Sequence, residues 1–314
     1  MRTRTGIGLA TALSCAVLVS VVAVARDGNG SPAAALNGPP RGPYVALGDS
    51  YTAGPRIPGQ HAKPAGCDRS DRNYPALVAA ELGLAGAEFR DMSCSGATTG
   101  DLFTAQDTDS GTNPAQLSAV SARTRLVTVG IGGDDIGFGE LITTCVKAGV
   151  RYQLESRIGD LAPDRAPCRA RHTSGDTDEI GTNIAATGGR VADVLADIRR
   201  RAPEARVYVV GYPTILPAQG ADCARAMGLA PGDVTFLRQK EQQLNTMLRR
   251  TAADAGAGYV DTYAPSDGRD ACAKADARWV EPLIPAAPAA PVHPNERGER
   301  GMAQAVLRAF RAGG

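Results

Sequence analysis

Short runs of β-branched and aliphatic residues recur along this chain of 314 residues, and each is separated from the next by a helical pattern or a long loop. The runs are Tyr44 to Leu47, a weaker Glu88 to Asp91, Leu126 to Ile131, Arg206 to Val210 and Tyr259 to Asp261. Between them, Asp176 and Glu179 stand at capping-box spacing before Ile180, Ile184, Val191, Val194 and Ile198, which recur on one helical face. Val234, Leu237, Leu244 and Leu248 repeat the pattern, and Met302, Val306 and Phe310 mark a C-terminal helix. Alternation of strand and helix predicts a parallel sheet covered by helices on both faces, an α/β fold whose ligands gather at the carboxyl ends of the strands.

The segments leaving the first three strands are therefore informative. After the first comes Gly48-Asp49-Ser50-Tyr51-Thr52-Ala53-Gly54, after the second Ser93-Cys94-Ser95-Gly96-Ala97-Thr98-Thr99, and after the third Gly132-Gly133-Asp134-Asp135-Ile136-Gly137-Phe138. Any one of these is an ordinary turn composition. Three on one predicted rim suggest a site, with Ser50 as a candidate nucleophile that needs a base. The chain has three histidines. His61 lies in a Gly/Pro/Gln-rich loop and His172 among arginines, as surface histidines do. His293 sits between the stiff tract Pro285 to Pro291 and the final helix, so its backbone is held from both sides, as a general base requires.

The N-terminus reads as an export signal: Arg2 and Arg4, an apolar run from Ile7 to Ala25, and an A-x-A site at Ala23-Val24-Ala25. The expected organisation is a signal peptide over residues 1–25, a Gly/Pro/Ala-rich leader over 26–40 and one domain over 41–314; an uncleaved membrane anchor is the competing reading of the first segment. Cys15 leaves with the signal. Cys67, Cys94, Cys145, Cys168, Cys223 and Cys272 remain, an even set suited to three disulfides, with sequential pairing preferred. None forms a C-x-x-C, and no paired His/Asp/Glu spacing marks a metal site, so neither metal nor cofactor is expected. A net charge of +1 without a basic cluster gives no footprint for nucleic acid.

The four blocks GDSYTAG, SCSGATT, IGGDDIGF and VHPN, in that order, resemble those of the SGNH hydrolases, also called GDSL esterases or lipases, and specifically their secreted actinobacterial branch with three sequential disulfides. The resemblance extends to Ser70-Asp71-Arg72-Asn73-Tyr74-Pro75 and Val260-Asp261-Thr262-Tyr263. It implies a flavodoxin-like α/β/α sandwich on a five-stranded parallel sheet. It also implies Ser50 as nucleophile and first oxyanion donor through its N–H, the N–H of Gly96 as second donor, and His293 as base. Two positions depart from the pattern. The third oxyanion donor, an asparagine in the family, is Asp134 here: it is held protonated, it is turned away, or it disables the site. The aspartate that many members place three residues before the histidine is Ala290, which implies that a main-chain carbonyl there orients His293. A spatially adjacent Asp267, Asp270 or Asp276 is the alternative.

The expected activity is hydrolysis of acyl esters of lipids or simple alcohols through a Ser-His acyl-enzyme. A phospholipase A-type or polyester hydrolase is the alternative, and a catalytically weakened secreted binding protein on the same fold a further one. With 4% aromatic residues there is no stacking platform for sugars. Phe138 and Trp279 are candidate apolar walls. The expected partners are a small-molecule or lipid ester, with transient contact to a lipid surface, and the expected state is monomeric.

Overall fold

The computed structural model describes residues 42–159, 165–218 and 221–312; the signal and leader expected over residues 1–40 lie outside the described residues. Strands β1 (Tyr44–Gly48), β2 (Phe89–Asp91), β3 (Leu126–Gly130), β4 (Arg206–Val210) and β5 (Gly258–Val260) form one parallel sheet in the order β2-β1-β3-β4-β5. The fold is the expected α/β/α sandwich, and each predicted strand is present to within a residue or two of its ends. Side chains alternate across the sheet. Val45, Leu47, Val127 and Val129 point to one core, while Tyr44, Ala46 and Leu126 point to the other.

Helices α1 (Ser50–Ala53), α2 (Tyr74–Glu81), α3 (Thr99–Phe103), α4 (Phe138–Glu155), α5 (Glu179–Arg201), α6 (Pro231–Asp254) and α7 (Glu296–Ala312) carry the connections. The larger core buries Ile184, Val191 and Ile198 of α5 with Leu237, Leu244 and Leu248 of α6; the smaller buries Val78 of α2 with Met302, Val306 and Phe310 of α7. The predicted helical faces are thus the buried ones. The capping residue differs: Asp178, not Asp176, accepts from the Gly181 N–H (2.9 Å). Asp176 instead belongs to the two-residue turn of a small hairpin, Thr173–Ser174 with Thr177–Asp178, which Gly175 closes at φ +55°. Two carboxylates competed for one cap, and the glycine decided between them by favouring a turn.

The strand order reverses between β1 and β3, and in such sheets a crevice opens there at the carboxyl edge. Gly48 and Gly130 are paired across it. A Cβ on Gly48 would lie 2.5 Å from the Gly130 carbonyl oxygen, so the two strands exit this close because Gly48 carries no side chain. Disulfides join Cys67 to Cys94, Cys145 to Cys168 and Cys223 to Cys272, the sequential pairing.

Candidate active site

Ser50 opens α1 directly after β1, and Asp49 caps that single turn by accepting from the Tyr51 N–H (2.9 Å). Nε2 of His293 lies 2.8 Å from Ser50 Oγ, and its Nδ1 lies 2.8 Å from the carbonyl oxygen of Pro291. A carbonyl oxygen can only accept, so the Nδ1 position carries the proton and Nε2 is left free to accept from the serine hydroxyl. Burial holds the imidazole below its ordinary pKa, partly offset by the Pro291 hydrogen bond.

The orienting carbonyl belongs to Pro291, which corrects the assignment to Ala290. Val292 adopts φ +62°, a left-handed conformation, while the Ala290 carbonyl accepts from the His293 N–H (3.2 Å) and is thereby occupied. The turn is strapped in place. Tyr51 donates its hydroxyl hydrogen to the Val292 carbonyl (2.6 Å), its ring lies 4.8 Å from the imidazole, and Glu281 exchanges backbone hydrogen bonds with Val292 and His293 at 3.0 Å each. None of Asp267, Asp270 and Asp276 takes the Nδ1 position. Asp267 pairs with Arg238 (3.4 Å), and Asp270 accepts from the Cys272 N–H (2.9 Å).

The N–H groups of Ser50 and Gly96 meet no protein acceptor among the described residues. Gly96 sits at φ +76°, a conformation that L side chains resist, between Ser95 and Ala97, whose amides are engaged by Cys67 (3.0 Å) and Cys94 (3.1 Å). Asp134 stands on the wall of the same cleft, and its carboxyl is pushed up to about 6, first by burial and then by the charges of Asp135 and Asp101. Asp135 is a tether: it accepts from the Thr99 N–H (2.9 Å) and from Arg190 (3.1 Å), tying the third loop to the second. His61 is exposed and His172 pairs with Glu179 (2.9 Å), so neither joins the site.

The cleft has a volume of about 210 Å³, with Phe138, Ile142, Leu244, Leu283 and Val292 among its walls. Phe138 is the wall residue expected of it; Trp279 is not. The Trp279 indole lies buried beneath α7, where a Cβ on Gly301 would meet its ring at 2.2 Å. Other groups at the site had not been singled out from the sequence. Tyr212 donates to the buried Asp49 carboxylate and accepts from the Gly133 N–H (2.7 Å), joining the first and third loops, and burial followed by the Asp134 charge pushes the Asp49 carboxyl up. Glu241, 1% exposed, closes the cleft with its carboxyl on the Ile215 N–H (3.0 Å), and burial raises its pKa as well. It had left a signal: it falls between Leu237 and Leu244 on the apolar stripe of α6, where a carboxylate is out of register with the core. No cluster of metal-ligating side chains occurs among the described residues, and no described helix is long and apolar enough to cross a membrane.

With a serine–histidine pair at the switch-point edge and free amides beside it, comparison with known proteins becomes specific. The chain matches the GDSL-like Lipase/Acylhydrolase family over residues 46–300, and it belongs to that family. It is a carboxylic ester hydrolase. It is 41% identical over 243 residues to Lipase 2 of Streptomyces coelicolor, covering 77% of this chain and 76% of the relative. A lipase of Streptomyces rimosus is 32% identical over 233 residues, 74% of each chain. Among solved structures, phospholipase A1 from Streptomyces albidoflavus NA297 superposes with a TM-score of 0.66 at 29% identity, covering 87% of this chain and 100% of that one.

Proposed function

We propose that this protein is a secreted lipase or esterase that cleaves acyl esters of lipids or simple alcohols through a covalent acyl-enzyme on Ser50. The observation that carries the reading is the continuous relay from Ser50 Oγ to His293 Nε2 and from Nδ1 to the Pro291 carbonyl, 2.8 Å at each step. In the first half-reaction Nε2 takes the Ser50 proton as Oγ attacks the ester carbonyl carbon. The resulting oxyanion accepts from the N–H groups of Ser50 and Gly96 and from a protonated Asp134. The imidazolium then protonates the departing alkoxide, and the alcohol leaves. In the second, water gives a proton to Nε2 as it attacks the acyl carbon; the bond to Oγ then breaks, the imidazolium returns the proton to Oγ, and the acid is released. The Pro291 carbonyl fixes the tautomer, and because it is neutral it stabilises imidazolium less than a carboxylate would.

The apolar cleft suits the acyl chain, and three disulfides suit an extracellular setting. A phospholipase A-type activity is the second reading, favoured by the structural likeness to phospholipase A1. A series of p-nitrophenyl esters of increasing chain length, with a phospholipid alongside, separates the two. Ser50→Ala is expected to abolish hydrolysis and covalent labelling by a fluorophosphonate; retained turnover by that variant would reject the mechanism.

A further inference from the structure

A trans peptide directs its C=O and N–H to opposite sides, so whatever holds the carbonyl aims the amide hydrogen. The peptide between Ser95 and Gly96 is trans, its N–H faces no protein acceptor, and its carbonyl oxygen accepts from Nε2 of Gln106 at 2.9 Å. Gln106 is only 7% exposed. It lies on a hairpin strand, Gln106–Thr108, paired with Gly111–Asn113, and Asn113 fastens that hairpin to the Ala65 carbonyl (2.8 Å) beside the Cys67–Cys94 disulfide. A Cβ on Gly96 would meet only the Gln106 amide, at 3.9 Å, so Gln106 is the side chain nearest this peptide on that side.

The other end of the same side chain is unpaired: Gln106 Oε1 is buried without a hydrogen-bond partner. The amide cannot be flipped, because only its NH₂ can donate to a carbonyl. We propose that Gln106 is a positioning residue for catalysis: by holding and polarising the Ser95–Gly96 peptide, its Nε2 aims the Gly96 N–H at the oxyanion. This rests on the assignment of Ser50 and Gly96 made above.

The test compares Q106M, which keeps the length and loses the donor, with Q106E, whose carboxyl donates only when protonated. A cavity of about 280 Å³, lined by Gln106 with Arg69 and Arg90, gives either side chain space. Turnover of p-nitrophenyl butyrate is measured per active site, titrated with a fluorophosphonate. Q106M is expected to lose about tenfold or more in kcat per titrated site, with KM within about twofold. The kcat of Q106E relative to the native enzyme should rise as pH falls from about 8 to about 5.5, whereas the Q106M ratio stays flat; the ratio cancels the titration of His293, which both share. A Q106M enzyme within about twofold of native kcat per titrated site overturns the proposal. Should Q106M fail to fold, a Q106L enzyme within about twofold of native kcat per titrated site overturns it equally. Native-like Q106M beside a dead Ser50→Ala enzyme rejects Gln106 alone, while an active Ser50→Ala enzyme rejects the serine reading and Gln106 with it.

Discussion

Replacing Asp134 by asparagine should extend activity to alkaline pH. The carboxyl of Asp134 is pushed up to about 6. In the proposed mechanism it is protonated below that value and donates to the oxyanion, and above it a carboxylate faces the developing charge. The acid limb belongs to His293, whose pKa burial lowers from 6.5 and which must be neutral to accept the Ser50 proton. Native activity is therefore expected to be greatest near mildly acidic pH and to decline above it. At pH 8 a group titrating near 6 holds its proton in about one molecule in a hundred. The two backbone donors persist, so D134N should gain about tenfold to a hundredfold in kcat at pH 8 and little at pH 5.5. Stability gives a second readout with its own sign. An acid raised from 3.8 in the unfolded chain to about 6 in the folded one favours folding below 3.8, and that contribution is lost as pH rises to 6, a difference of up to about 3 kcal/mol. D134N removes this dependence, so at pH 8 its melting temperature should rise by several degrees. The assay is a pH series of kcat from about 4.5 to 9 beside thermal melts. A D134N enzyme slower than native at pH 8, or native kcat undiminished up to pH 9, would refute the protonated donor.

Two further substitutions probe the frame of the site. Removing the Cys67–Cys94 bridge as the double alanine variant opens a loop of 27 residues and should cost about 3 to 4 kcal/mol in thermal or denaturant unfolding. Because Ser95 is held by the Cys67 carbonyl, kcat should fall with it at temperatures where the variant is folded. Tyr212→Phe leaves the Gly133 N–H without its acceptor and Oδ2 of Asp49 without its donor, while Oδ1 keeps the Tyr51 N–H; stability should fall by about 1 to 3 kcal/mol and kcat more than KM. An unchanged unfolding midpoint would show that water replaces the hydroxyl on both partners.

The parts legible in the sequence were those written locally. Ser50, Gly96 and Asp134 each follow a strand by a few residues, so the parallel sheet brings them to one edge, while His293 lies between a proline tract and a helix. What escaped depends on single dihedral angles or on contacts between distant loops. Ala290 and Pro291 are adjacent, and only the left-handed Val292 decides which carbonyl serves the imidazole. Asp49 and Tyr212 are 163 residues apart, and a hydrogen bond at that distance leaves no periodicity to read. Trp279, a candidate pocket wall, packs instead on α7, where glycines at 298 and 301 admit its backbone and indole.

The same contrast explains why the unusual carboxyl groups gather here. Asp49, Asp134 and Glu241 all line one apolar cleft, and burial raises the pKa of each. Asp49 and Glu241 are engaged, by Tyr212 and by the Ile215 N–H, and act as cross-links between loops. Asp134 makes no side-chain hydrogen bond among the described residues, although an amide at this position would need no proton to donate. A neutral acid therefore does the work of an amide only while the cleft stays dry enough to keep it protonated. Widening the mouth by Phe138→Ala should then admit water, lower the Asp134 pKa and move the alkaline limb of native activity toward acid. A limb that moves the other way, or stays fixed in an enzyme that still folds, would mean that burial is not what holds the proton.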